Sequence, residues 1–285
     1  MSKAPLIALL TDFGLVDPFA GVLKAVISKI SPGTPIVDLT HEIPPGEIMR
    51  AAVYLWQSRA YFPEGTIFVC VVDPGVGSAR RGIILVSCGQ TFIGPDNGLF
   101  TFVMTPSDKA WEINNQEYLL PQQSVTFQGR DVFAPVAAHA ALGVEPKEIG
   151  RELQQLVYLD RPRLEFSPEG HMTGETLFAD RFGNVVTSLG KFVQYAPSRY
   201  RFEPWIPFLS SQTDLTFFSS DDFFLQLASG QELPWVNTFS DLDKGECGFL
   251  VGSSGLIEIV SYAARAEQLL GLAMHEPLIL KRSGI

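Results

Sequence analysis

The stretch that decides the fold is Thr66-Ile67-Phe68-Val69-Cys70-Val71-Val72-Asp73-Pro74-Gly75-Val76-Gly77-Ser78-Ala79-Arg80-Arg81. Thr66–Val72 is the most apolar run in the chain, and it stops at a carboxylate followed by a Pro-Gly turn. Such a run between turn signals reads as a strand buried on both faces, as in parallel sheets. Upstream, Leu6–Leu10 runs into Thr11-Asp12-Phe13-Gly14, and Ile36–Leu39 into Thr40-His41-Glu42. Helical spacing separates these runs. In Pro18–Ile30 the apolar face is Phe19, Val22, Leu23, Val26, Ile27 and Ile30, and in Glu47–Tyr61 it is Ile48, Ala51, Ala52, Leu55 and Trp56. Asp17 is expected to cap the first helix, with Pro18 at its first position. Ile83–Ser87 and Thr91–Ile93 flank Cys88-Gly89-Gln90 like a hairpin, and Asp131–Leu142 reads as another helix. The alternation predicts a three-layer α/β domain with a mostly parallel sheet. Ligands of such sheets bind beyond the C-terminal strand ends, which puts Asp12 and Asp73 on one rim.

Past about Gly150 the pattern changes. A polar, Pro-containing connection leads to short β-like runs at Glu175–Phe178, Val185–Thr187, Leu215–Phe218, Gly248–Val251 and Leu256–Val260, separated by turn residues. Helical spacing returns only at Ala263–Leu270. The expected organisation is an α/β domain over residues 1–155, a linker over 156–172 and a smaller β sandwich or barrel over 173–285.

Composition narrows the function. The 285 residues are 46% hydrophobic and 18% charged, enough to bury a sizeable core. A net charge of −10 without a basic stripe argues against nucleic acid or an anionic membrane as partner and suits a small cationic ligand. The three cysteines form no CxxC pair, the four histidines are scattered without metal-ligand spacing, and no secretory leader is expected ahead of the first strand. The expectation is a cytoplasmic protein with reduced thiols and no metal.

Several segments carry chemistry-bearing residues, each with a structural alternative. Asp73 and Arg80 can meet across the glycine turn as a catalytic pair or as a structural ion pair. A phosphate loop fits less well, because Arg80 stands where a dinucleotide fingerprint has its third glycine. Asp12 at a strand end suits a ribose diol or a helix cap. Gly94-Pro95-Asp96-Asn97-Gly98 is turn chemistry in its own right. In Gln128-Gly129-Arg130-Asp131 the simplest reading makes Asp131 a helix cap and Arg130 a solvated charge. Asp180-Arg181-Phe182-Gly183-Asn184 is a hairpin turn or a carboxylate and amide for a zwitterion, and Gly252-Ser253-Ser254-Gly255 offers hydroxyls.

Seven of these motifs stand in an order that resembles one family. They are Leu10-Thr11-Asp12-Phe13-Gly14, Asp38-Leu39-Thr40-His41-Glu42-Ile43-Pro44-Pro45, Phe62-Pro63-Glu64-Gly65-Thr66, Val72-Asp73-Pro74-Gly75-Val76-Gly77, Gly94-Pro95-Asp96-Asn97-Gly98, Gly129-Arg130-Asp131-Val132-Phe133-Ala134-Pro135 and Phe182-Gly183-Asn184. In this order the chain resembles the adenosine-forming S-adenosylmethionine (SAM) hydrolases, or SAM hydroxide adenosyltransferases, relatives of the SAM-dependent fluorinase and chlorinase.

The resemblance implies an α/β domain followed by a β-barrel domain, and homotrimers with SAM held between neighbouring subunits. It implies SAM as substrate and no separate cofactor. It implies that Asp12 binds the ribose hydroxyls, that Asp180 and Ser253 hold the methionine amino and carboxylate groups, and that Phe182 and Asn184 line the pocket. Asp73 and Arg80 match two members of a water-activating Asp–Arg–His set, whose His is here Gln128. Glutamine can orient a water but cannot take its proton at neutral pH. A non-catalytic or weakly active SAM-binding protein on the same scaffold is therefore the alternative. Asp73, where the fluorinase has Tyr, favours water over halide as nucleophile. Ser254 and Ser261 replace arginines of the fluorinase, and Tyr262 replaces an Asn near the adenine.

Overall fold

Leu6–Leu10 does form the first central strand, shifted by one residue. The computed structural model describes residues 5–206, 218–219 and 222–282, which divide into one unit ending at Leu159 and another beginning at Asp160.

The first unit contains β1 (Ile7–Thr11), α1 (Phe19–Ile30), β2 (Ile36–Thr40), α2 (Ile48–Ser58) and β3 (Ile67–Val71). These are followed by β4 (Gly82–Ser87), β5 (Gln90–Pro95), β6 (Lys109–Ile113), α3 (Ala134–Ala141), α4 (Pro146–Ile149) and β7 (Gly150–Leu153). The seven strands form one sheet in the order β2-β1-β3-β5-β4-β6-β7. The sheet is mixed: β2, β1, β3 and β5 pair in parallel, and β4, β6 and β7 extend it antiparallel.

Both faces of β1 and β3 are buried, as their apolar composition requires. Ile7, Leu9, Val69 and Val71 pack with Leu23 and Ile27 of α1 and Val136 of α3. Ala8, Leu10, Phe68 and Cys70 pack with Ala51 and Leu55 of α2 on the opposite face. The two-residue side-chain period of a strand separates the sets and gives the three layers. Asp17 does not cap α1; Pro18 holds the cap position, without a side-chain hydrogen bond. β6 was not anticipated, and β7 occupies the start of the stretch expected to be a connection.

The second unit contains β8 (Leu164–Phe166), β9 (Met172–Ala179), β10 (Val185–Thr187), β11 (Phe192–Ala196), β12 (Arg199–Phe202) and β13 (Phe218–Ser219). It continues with β14 (Phe223–Leu227), β15 (Glu232–Pro234), β16 (Cys247–Val251), β17 (Ile257–Ser261), α5 (Ala266–Leu270) and β18 (Pro277–Arg282). The main sheet runs β15-β14-β18-β9-β10-β17-β16. A bridge between Trp235 and Phe249 joins its two ends into a nearly closed antiparallel barrel. The long strand β9 turns the corner, pairing β18 through its first half and β10 through its second. Of the strand expected at Leu215–Phe218, residues 215–217 lie outside the described residues.

Candidate active site

The register of the first sheet places Thr11 of β1 opposite Val71 of β3. Asp12 and Asp73 therefore leave neighbouring strands at the same end, one and two residues past that pair. Val72 is still buried, and the turn begins with Val76 N–H donating to the Asp73 carbonyl at 3.2 Å. Gly77 has φ 80°, a conformation that favours glycine.

The turn brings Arg80 back onto Asp73. Arg80 Nε donates to Asp73 Oδ2 at 2.8 Å, and Nη2 donates to the same oxygen. Nη2 also donates to Gln128 Oε1 at 2.5 Å. The Asp73 side chain is only 5% exposed. Its other oxygen, Oδ1, is buried with no hydrogen-bond partner among the described residues. A buried carboxylate oxygen without a donor is costly, and such an atom is expected where a ligand or ordered water completes the bonding. Gly75 lies beside it: an added Cβ would stand 3.6 Å from Oδ1.

Gln128 immediately precedes a π-type turn, Gly129–Phe133, that leads into α3. Such turns are frequent at functional sites. Phe13, Phe19 and Phe127 pack edge to face around this junction, with centroids 5.2 to 6.1 Å apart. Asp131 is not the helix cap. Its fully buried carboxylate accepts from Ser124 N–H at 2.7 Å and from the Arg130 guanidinium, so Arg130 is not merely a solvated charge. Burial opposes the charge of Asp131, but Arg130 and Ser124 outweigh it and hold the carboxyl below the usual range.

Asp12 Oδ2 accepts from Gly46 N–H at 3.0 Å. Burial raises its pKa; hydrogen bonds to backbone oppose this, and the nearby charge of Asp73 adds to it. Asp96 is structural. Its Oδ2 is held by Arg81, and its Oδ1 accepts from Val157 N–H at 2.9 Å.

In the second unit, Asp180 follows β9 and organises its own loop. Its Oδ1 accepts from Phe182 N–H at 2.8 Å and Asn184 N–H at 2.9 Å, and Oδ2 accepts from Asn184 Nδ2 at 3.0 Å. Phe182 stays 75% exposed and, with Asn184, Phe239, Ser261, Tyr262 and Arg265, lines a cavity of about 600 Å³. Ser253 is exposed in the loop between β16 and β17. Its neighbour Gly252 has no room for a side chain, because an added Cβ would lie 1.9 Å from Glu258 Oε1.

Glu258 was not anticipated. Burial, then the charge of Asp180, raise its carboxyl from the ordinary 4.5 to about 7. The available signal was a glutamate inside the apolar strand Leu256–Val260, a residue type seldom buried. Among the described residues no group of three or more His, Cys, Asp or Glu is placed to hold a metal ion, and no helix is long and apolar enough to cross a membrane.

Two strand-end carboxylates, one locked to an arginine, and a separate antiparallel barrel with an apolar cavity define the class. The chain belongs to the SAM hydroxide adenosyltransferase family, whose N-terminal domain matches residues 7–150 and whose C-terminal domain matches residues 174–279. It is 35% identical to an (R)-S-adenosyl-L-methionine hydrolase of Thermus thermophilus, over 95% of this chain and 97% of that protein. A protein of the same name from Salinispora arenicola is 33% identical over 98% of both chains. A fluorinase of Actinopolyspora mzabensis is 28% identical over 65% of this chain and 71% of that protein. The crystal structure of an uncharacterized conserved protein from Thermotoga maritima matches with a TM-score of 0.80 at 32% identity, covering 97% of this chain and 100% of that chain.

Proposed function

We propose that the protein hydrolyses S-adenosyl-L-methionine to adenosine and L-methionine by attack of water on the ribose 5′ carbon. Oxygen bonds to C5′ as the C5′–sulfur bond breaks, and the bonding pair leaves on sulfur. The sulfonium becomes a neutral thioether, so no general acid is required. What the reaction requires is a water held in line and a group to take its proton.

The observation that carries this reading is the buried Oδ1 of Asp73, without a partner on a carboxylate whose other oxygen Arg80 already holds. That oxygen is free to accept from a water and then to take its proton. Arg80 keeps the carboxylate oriented and helps hold the negative charge that develops on the attacking oxygen. Gln128 spends its carbonyl on Arg80 and keeps its amide hydrogens for a water, which makes it an orienting group. Identity of 33–35% over nearly the whole of both chains with proteins named (R)-S-adenosyl-L-methionine hydrolase supports SAM as substrate.

In this reading Asp12 binds the ribose hydroxyls. Asp180 and Ser253 hold the amino and carboxylate groups of methionine, and Phe182 and Asn184 border the nucleoside. SAM is a substrate, and no cofactor takes part. The active form is a homotrimer in which sites are completed at subunit interfaces, and the protein acts in the cytoplasm. Exposed apolar residues of both units, among them Leu15, Val16 and Phe182, fit an assembly that covers them.

The test is chromatography of SAM incubated with the purified protein. Equal amounts of adenosine and methionine, formed in proportion to enzyme, are expected. Binding of SAM without either product would instead establish a non-catalytic SAM-binding protein.

A further inference from the structure

His41 follows β2, is 2% exposed, and takes no part in the chemistry proposed above. Its Nδ1 lies 2.8 Å from Thr11 Oγ1, and its Nε2 lies 3.1 Å from Asp38 Oδ1 without a hydrogen bond. Asp38 also binds Lys24 at 2.5 Å. Both ring nitrogens thus face buried or charged partners, which suits a structural tie better than a proton shuttle.

The ends of these contacts close around one residue. Thr11 is the last residue of β1, and its Oγ1 accepts from Phe13 N–H at 3.2 Å, spanning Asp12. That oxygen keeps its hydrogen and a second lone pair, so it bonds Nδ1 whichever ring nitrogen carries the proton. The His41 backbone carbonyl accepts from Gly14 N–H at 2.7 Å, on the far side of Asp12. Further along the same connection, Ile43 N–H donates to the Thr11 carbonyl at 3.4 Å and Gly46 N–H donates to Asp12 itself. The segment from His41 to Gly46 is thus a template against which the Asp12 turn is moulded.

We propose that His41 is a positioning residue, whose ring fixes the Asp12 carboxylate for the ribose hydroxyls through Thr11. This rests on the reading of Asp12 as the ribose ligand. A carboxylate displaced by a fraction of an ångström loses much of a bidentate contact, so affinity is lost before chemistry.

The test is steady-state kinetics on the full chain with SAM, for D12A, H41A, H41N, H41Q and the D12A/H41A double variant. H41A is expected to raise KM about tenfold, with kcat within about threefold of the parent. Because His41 acts through Asp12, the double variant should have a KM within about threefold of D12A alone. H41N, whose amide reaches the Thr11 hydroxyl, should restore KM, whereas H41Q should not. The proposal is overturned if the two single effects multiply in the double variant, or if H41A leaves KM unchanged. Should H41A fail to fold, equal KM values for H41N and H41Q overturn it. If D12A itself leaves KM unmoved, the ribose assignment fails and this proposal with it. If D12A raises KM and H41A does not, only the positioning role fails.

Discussion

Replacing Glu258 by Gln should stabilise the protein at pH 8 and leave its stability unchanged near pH 4. Glu258 sits in β17 with its carboxyl against Gly252 and in the field of Asp180. Those surroundings raise its pKa from 4.5 to about 7. The native state therefore holds this proton where the unfolded chain has released it. Stability then falls as pH rises from about 4.5 to about 7 and is level, for this group, above that. At about 1.4 kcal/mol per tenfold change in proton affinity, the full displacement corresponds to at most about 3.5 kcal/mol. Glutamine has the shape of the protonated acid and no charge to desolvate, so it removes that loss. The measurement is urea unfolding of parent and E258Q at pH 4.5, 6 and 8. The difference in unfolding free energy should grow with pH and reach on the order of 2–3 kcal/mol at pH 8. A difference that is the same at all three values, or a variant less stable at pH 8, would refute the argument from burial and like charge.

Three further outcomes are expected. Asp73→Asn should lower kcat for SAM by about 100-fold or more with KM within about threefold, because the amide orients a water but cannot take its proton; a parent-like kcat would remove Asp73 as base. Gln128→His should change kcat by less than about threefold if Asp73 alone is the proton acceptor, and a rise of two orders of magnitude would show that the acceptor was missing. Arg81→Ala should destabilise the first unit by about 3 kcal/mol in urea unfolding, since it strands the buried Asp96 carboxylate without its cation; an unchanged midpoint would mean that Val157 N–H alone satisfies it.

The sequence by itself determined the elements whose signals are local. Apolar runs at Leu6–Leu10, Ile36–Leu39 and Thr66–Val72 became β1, β2 and β3, and the amphipathic spacing after Pro18 and Glu47 became α1 and α2. Because those strands end in polar residues at one rim, Asp12 and Asp73 were legible as a pair, and the family resemblance added Asp180, Phe182, Asn184 and Ser253 as expected ligands. Short edge strands such as β6 and β7 were not legible, since their stability comes from the neighbour they pair with. Only tertiary structure decided which charges meet. Arg80 turns to Asp73 and Gln128, whereas its chain neighbour Arg81 turns to Asp96. The position of Glu258 beside Asp180, and the tie from Asp38 through His41 to Thr11, likewise join residues distant in the chain. Side-chain periodicity is a property of a few consecutive residues, whereas burial and charge proximity depend on which strands the fold lays side by side.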